Sequence, residues 1–234
     1  MIRFWLALLL LSPWLLWQAK RTRATTPRLP EAGGEPSGQS GDTGPVLRLL
    51  VVGESTAASV GVGDHQQGLA AHLAAQLSRR HGRIVLWRTV GVNGIRAAAL
   101  IRHLPRAPET DVAIISLGVN DTTGLTRRRG YRQALAELIA ELRRDKADLP
   151  VYLLAVPPMQ RFTALPRPLR DLLGWRAQGL DRVQQDLART LAGVHHLAYP
   201  LVEGKDLLAG DGYHPSEQGY ALIARTVADD ISMP

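Results

Sequence analysis

Beyond residue 45 the chain alternates between two hydrophobic patterns. LRLLVV (47–52), IVLWRTV (84–90), DVAIISLG (111–118) and VYLLAV (151–156) are short, nearly continuous apolar runs and predict buried strands; HHLAY (195–199) is a weaker fifth. Between them, apolar residues recur at three- and four-residue spacing. That spacing predicts helices over 68–82, 129–146, 168–192 and 216–231, and a short one over 95–104. Gly82 follows the first helical pattern, and Pro157-Pro158 stop the fourth strand. Strand–helix alternation through one unit predicts an α/β fold, a parallel sheet covered by helices on both faces. Ligands of such sheets bind beyond the carboxyl ends of the strands, so site residues are expected just after strand ends.

The N-terminus follows a different pattern. Phe4 to Trp17 is almost unbroken apolar sequence. At ~1.5 Å per residue it spans roughly 21 Å, short of a ~30 Å hydrocarbon core. No small-x-small cleavage site precedes Lys20-Arg21. Residues 1–21 are therefore expected to be a membrane anchor or uncleaved signal, with Trp5, Trp14 and Trp17 at headgroup level; the competing reading is a buried core helix. Lys20, Arg21, Arg23 and Arg28 follow the run and only Arg3 precedes it, which by the positive-inside rule leans the rest of the chain to the cytoplasmic face. Residues 22–45, rich in Pro, Gly, Ser and Thr without a hydrophobic period, read as a flexible linker, leaving 46–234 as the folded domain.

Composition removes several function classes. There is no cysteine, hence no disulfide framework, thiolate metal site or Cys nucleophile. The net charge is +7, but the basic residues are scattered and not interleaved with aromatics, so no nucleic-acid partner is expected. The positive excess suits an anionic membrane surface. His195-His196 with Glu203 and Asp206 has metal-ligand residue types, yet reads as a surface strand. No metal and no cofactor are expected.

Four segments carry candidate chemistry. Gly53-Glu54-Ser55 follows the first strand, Val90-Gly91-Val92-Asn93-Gly94 the second, and Gly118-Val119-Asn120-Asp121 the third; Asp211-Gly212-Tyr213-His214-Pro215 precedes the last helix. Each has a plain reading alone: Ser55 as a helix N-cap, Asn120-Asp121 and Asp211-Gly212 as turns, His214 as a surface histidine. Together, in this order over residues 47–232, they resemble the GDSL/SGNH hydrolases. The resemblance implies a three-layer α/β/α sandwich with a flavodoxin-like parallel five-stranded sheet, order 2-1-3-4-5. It also implies a serine ester hydrolase in which Ser55 is the nucleophile, His214 the base and Asp211 the group that orients His214. The implied oxyanion donors are the backbone N–H groups of Ser55 and Gly94 and the Asn120 amide. Gly94 fits better than Gly91, because the short helix begins directly after it. Such chemistry needs these types: a hydroxyl activated by an adjacent base, a carboxylate fixing the imidazole tautomer, and donors for the tetrahedral intermediate.

Two positions depart from the family pattern: Glu54 stands where aspartate is usual, and Ser59 where glycine is usual. The expected substrates are lipid-derived or other small carboxylic esters, with Phe162, Leu165 and Trp175 available to an acyl chain and Arg161 or Arg167 to a phosphate or carboxylate. Carbohydrate O-deacetylation, O-acyl transfer, and a catalytically weak membrane-tethered binding protein are the alternatives.

Overall fold

The computed structural model describes residues 6, 8–104, 109–202, 204 and 206–232. Residues 1–5 and 7 of the expected anchor, and Glu203, lie outside the described residues.

Six strands form one sheet: β1 (Ser37–Ser40), β2 (Val46–Gly53), β3 (Ile84–Gly91), β4 (Val112–Ser116), β5 (Val151–Leu154) and β6 (Val194–Leu197). Their spatial order is β1-β3-β2-β4-β5-β6. The last five are parallel and in the expected 2-1-3-4-5 arrangement, while β1 adds an antiparallel edge strand beside β3. Every residue of β4 and β5 is buried, as in a sheet covered on both faces. Successive side chains point to opposite faces, so neighbours serve two cores. Leu50, Val52, Ala113 and Ile115 pack against α3 (Ala97–Leu100), α5 (Arg128–Leu142) and α6 (Leu169–Thr190). Leu49, Val51 and Ile114 pack against α2 (Leu69–His81) and α7 (Glu217–Ala228). Gly82, at φ +59°, closes α2 in the left-handed conformation that glycine adopts without steric cost.

α1 (Ser12–Thr25) occupies the second half of the N-terminal apolar run and continues past it. It leans on the start of α6. Leu15 packs with Leu172, and buried Gln18 donates to the Arg167 carbonyl (2.6 Å) and accepts the Leu169 N–H (3.2 Å). Leu9, Leu10, Trp14, Leu16 and Trp17 remain exposed, and the Arg21 guanidinium lies over the Trp17 ring. No helix among the described residues is long and apolar enough to cross a membrane.

The stretch expected to be a flexible linker is held against the domain. Residues 22–25 complete α1, and Ser37–Ser40 form β1. SGQS shows no apolar alternation, because β1 is held by its backbone ladder to β3. At Gly38 a side chain would collide with Trp87, its Cβ falling 2.7 Å from Cζ2, so glycine lets the strand lie over that indole.

Candidate active site

Three loops converge beyond the carboxyl ends of β2, β3 and β4. Ser55 begins a series of turns rather than a regular helix, so it is not a helix N-cap. Its carbonyl accepts the Val60 N–H (3.0 Å), and the Glu54 carbonyl accepts that of Ala58 (3.0 Å). These turns lie directly on β3: a Cβ on Gly91 would fall 2.0 Å from the Ala58 nitrogen. Gly91 thus serves close packing, which leaves Gly94 for the exposed loop tip. Ser59 adopts φ +53°, the left-handed region where the family's usual glycine carries no side-chain penalty. Its Oγ lies 3.2 Å from His65 Nδ1.

Asp211 and His214 share one tight loop. The His214 Nδ1–Asp211 Oδ2 distance is 2.5 Å, while Asp211 Oδ1 accepts the N–H groups of Tyr213 (3.0 Å) and His214 (3.1 Å). Burial pushes the Asp211 carboxyl up, but the bonds from His214 and the two backbone N–H groups outweigh it and hold the group below its ordinary value. Asp211 therefore stays ionised and fixes the ring. The loop is pinned by Ala209 N–H to the His214 carbonyl (2.8 Å) and Ser216 N–H to Leu207 (3.0 Å). It packs on the turns that follow Ser55: a Cβ on Gly61 would fall 2.4 Å from the Pro215 carbonyl and 3.3 Å from His214 Cβ, and the Tyr220 hydroxyl of α7 donates to Val60 (2.6 Å). The direct bond that a working triad needs between Ser55 Oγ and His214 is not formed among the described residues. In substrate-free sites such bonds are commonly long and tighten when substrate binds.

Glu54 accounts for its departure from the family pattern. It is buried, and its two carboxylate oxygens accept the N–H groups of Val119 and Asn120, each at 2.8 Å. It thereby ties the Ser55 strand end to the Asn120 loop. Asp121, also buried, continues the connection: its Oδ2 accepts the Ala97 N–H (2.9 Å) at the start of α3, just after the Gly94 loop. Glu54 and Asp121 thus link the Ser55, Asn120 and Gly94 segments in series. From the sequence alone Asp121 reads as a turn residue, and an acidic side chain after Asn120 is the one sign of this role.

Burial raises Glu54 from its ordinary 4.5 to about 7, against the lowering effect of its two N–H donors. Between those values the native state holds a proton that the unfolded chain has released. Glu54's contribution to stability is therefore full below about 4.5 and declines as pH rises through about 7. Glu54→Gln has no such titration, and it aims an NH2 at an N–H donor, a mismatch of about 1–3 kcal/mol. Calorimetry is expected to show wild type melting above Glu54→Gln by a margin that narrows from pH 5 to pH 8. A margin that widens with pH contradicts this account.

The surrounding candidates separate. Phe162 lies edge-on to Tyr213, with ring centroids 6.1 Å apart, beside the His214 loop. Leu165 belongs to the core, and Trp175 stands exposed on α6. Arg161 and Arg167 line a cleft of about 570 Å³ with Gln160, Thr163, Arg170 and Leu208. His195 stacks on Tyr152, and His196 bonds Asp181 (2.9 Å). No group of three metal-ligating residues occurs among the described residues.

A family model of GDSL-like lipases and acylhydrolases matches residues 51–222. The GDSL-like esterase Rv1075c of Mycobacterium tuberculosis is 28% identical over 188 residues, 76% of this chain and 59% of its own length. The chain thus spans a little under three fifths of that relative. Among solved structures, the lipase Lip_vut3 from a goat rumen metagenome aligns with TM-score 0.63 at 16% identity, covering 78% of this chain and 96% of the other. A family 3 carbohydrate esterase from Clostridium thermocellum aligns with TM-score 0.59 at 17% identity, covering 77% and 92%. These likenesses agree with the sandwich described above, and the match over residues 51–222 takes in all four blocks, so the chain belongs to the GDSL-like lipase/acylhydrolase family.

Proposed function

We propose that this protein is a serine carboxylic-ester hydrolase that works through Ser55, His214 and Asp211. The observation that carries the reading is the His214–Asp211 pair, held in a loop packed on the turns that begin at Ser55. Ser55 Oγ attacks the ester carbonyl carbon and its proton passes to His214 Nε2. The Ser55 and Gly94 N–H groups and the Asn120 amide receive the oxyanion. Collapse breaks the C–O bond, and His214 returns the proton to the leaving alcohol. A water, deprotonated by His214, then cleaves the acyl-enzyme and restores Ser55.

The substrate class proposed is a lipid-derived or other small ester met at a membrane surface. The exposed apolar residues Leu9, Leu10, Trp14, Leu16 and Trp17, followed in the chain by Lys20, Arg21 and Arg23, support contact with an anionic membrane surface. A small apolar depression of about 20 Å³, framed by Phe162, Tyr199, Leu201 and Tyr213, adjoins the His214 loop and supplies an apolar border rather than room for a whole acyl chain. Carbohydrate O-deacetylation is the second reading, favoured by the polar, arginine-lined cleft on the same side.

An acyl series of p-nitrophenyl esters from acetate to decanoate tests both. Offered in solution and in phosphatidylglycerol vesicles, it is expected to give rates that rise with chain length. Trp14→Ser combined with Trp17→Ser is expected to lower the vesicle-borne rate by about tenfold or more, since even a fraction of the energy of burying two aromatic side chains reaches that scale, and to leave the soluble rate unchanged. Preference for acetate selects the deacetylase reading, and equal loss on both substrate forms removes the interfacial role of α1.

A further inference from the structure

The chain between α1 and β1 runs beside the proposed active site and bonds to two of its loops, the Gly94 loop and the turns that follow Ser55. Glu31 Oε1 accepts the Asn93 N–H at 2.5 Å, on the loop that carries Gly94. The Ala32 N–H donates to Ala58 (3.1 Å) and the Gly33 N–H to Gly63 (3.0 Å), both in the turns that follow Ser55. His65 N–H returns a bond to Gly33 (3.1 Å), and the Thr89 N–H of β3 bonds Pro36 (2.8 Å) just before β1 begins.

The Gly94 loop needs such support. Val92 to Ile95 is a tight turn closed by the Ile95 N–H on the Val92 carbonyl (3.2 Å), with Gly94 at φ +84°. That closing bond takes neither the Asn93 nor the Gly94 N–H. Both residues are exposed, and a Cβ on Gly94 would meet nothing within 4 Å, so packing does not hold the tip. Asp121 fixes the exit of the loop through Ala97, and Glu31 fixes its tip through Asn93. A carboxylate accepting a backbone N–H is among the stronger hydrogen bonds, and the Ala32 and Gly33 bonds hold the Glu31 backbone.

We propose that residues 31–33 form a fixed wall of the active site, and that Glu31 is a positioning residue that holds the Asn93-Gly94 turn so that the Gly94 N–H meets the tetrahedral intermediate. The inference rests on the assignment of Ser55 as nucleophile and Gly94 as oxyanion donor. Glu31 touches no reacting atom, so its effect falls on the transition state and not on substrate binding. Residues 26–30 join this wall to the end of α1.

The test uses the full chain with Glu31→Ala, Glu31→Gln and Ser55→Ala. Each is assayed for kcat and KM on a soluble p-nitrophenyl ester. Each is also assayed for affinity toward an alkyl trifluoromethyl ketone. Ser55 Oγ adds to the ketone carbon, its proton passes to His214, and the carbonyl oxygen becomes an oxyanion. Glu31→Ala is expected to lower kcat about tenfold, in line with a small displacement of one oxyanion donor. KM should stay within about twofold of wild type, and ketone affinity should weaken by the same factor as kcat/KM. Glu31→Gln keeps an acceptor oxygen on the Asn93 N–H and is expected to stay within about threefold of wild type. Unchanged kcat in Glu31→Ala, a loss confined to KM, or equal losses in the Ala and Gln variants overturns the role of Glu31. In those cases an inactive Ser55→Ala shows that the triad reading itself stands. A Ser55→Ala protein that keeps its turnover overturns both.

Discussion

Ser55→Ala is expected to lower ester turnover by about 10⁴- to 10⁶-fold while leaving the fold intact. The loss is large because no second nucleophile is needed to explain the site, and the donors of the oxyanion hole supply only residual catalysis once the covalent step is gone. The fold is expected to survive because the Ser55 side chain makes no hydrogen bond among the described residues, and its structural bond is a backbone one, to Val60. Circular dichroism and the melting temperature should match wild type within about 2 °C, a shift of about 0.5–1 kcal/mol. A fluorophosphonate should label wild type at Ser55, losing fluoride to the new P–O bond, and should leave the alanine variant unlabelled. Near-wild-type turnover in the alanine variant removes Ser55 from the mechanism.

The second large effect is expected from Asp211→Asn, a loss of about 10³- to 10⁴-fold in kcat. Asparagine keeps an oxygen for the Tyr213 and His214 N–H groups, so the loop should hold. Its NH2 then faces His214 Nδ1 at the 2.5 Å contact now made by Oδ2. Nδ1 must accept, the ring proton moves to Nε2, and His214 loses the lone pair that receives the Ser55 proton. Since hydroxide removes the Ser55 proton without help from His214, part of the loss should be recovered at alkaline pH. A kcat–pH profile from pH 6 to pH 10 checks this. An Asn variant within tenfold of wild type at pH 7 demotes Asp211 to a loop brace.

The large elements were legible because their signals are local. Apolar runs buried on both faces announced β2, β4 and β5, and three- and four-residue spacing announced α2, α5, α6 and α7. β1 and α4 (Val119–Thr123) were missed for the opposite reason. SGQS forms a strand only because β3 offers an unpaired edge, and α4 is a single turn that begins where Glu54 takes the Val119 and Asn120 N–H groups. Neither leaves a periodic trace in the chain.

The sequence by itself determined the fold class, the order of the five parallel strands through the family resemblance, and the four blocks at the strand ends. Those follow from hydrophobic period and from residue types that the chemistry demands, both of which can be read one segment at a time. Only the tertiary structure decided what holds the blocks together. The bonds of Glu54 to Asn120, Asp121 to Ala97 and Glu31 to Asn93 join residues 66, 24 and 62 positions apart. It also holds part of a stretch with linker composition, Glu31 to Gly33, against the Asn93-Gly94 loop and the turns after Ser55. Polar composition reports that a segment has no apolar face to bury. It does not report whether folded neighbours will present the backbone donors and acceptors that fix it in place.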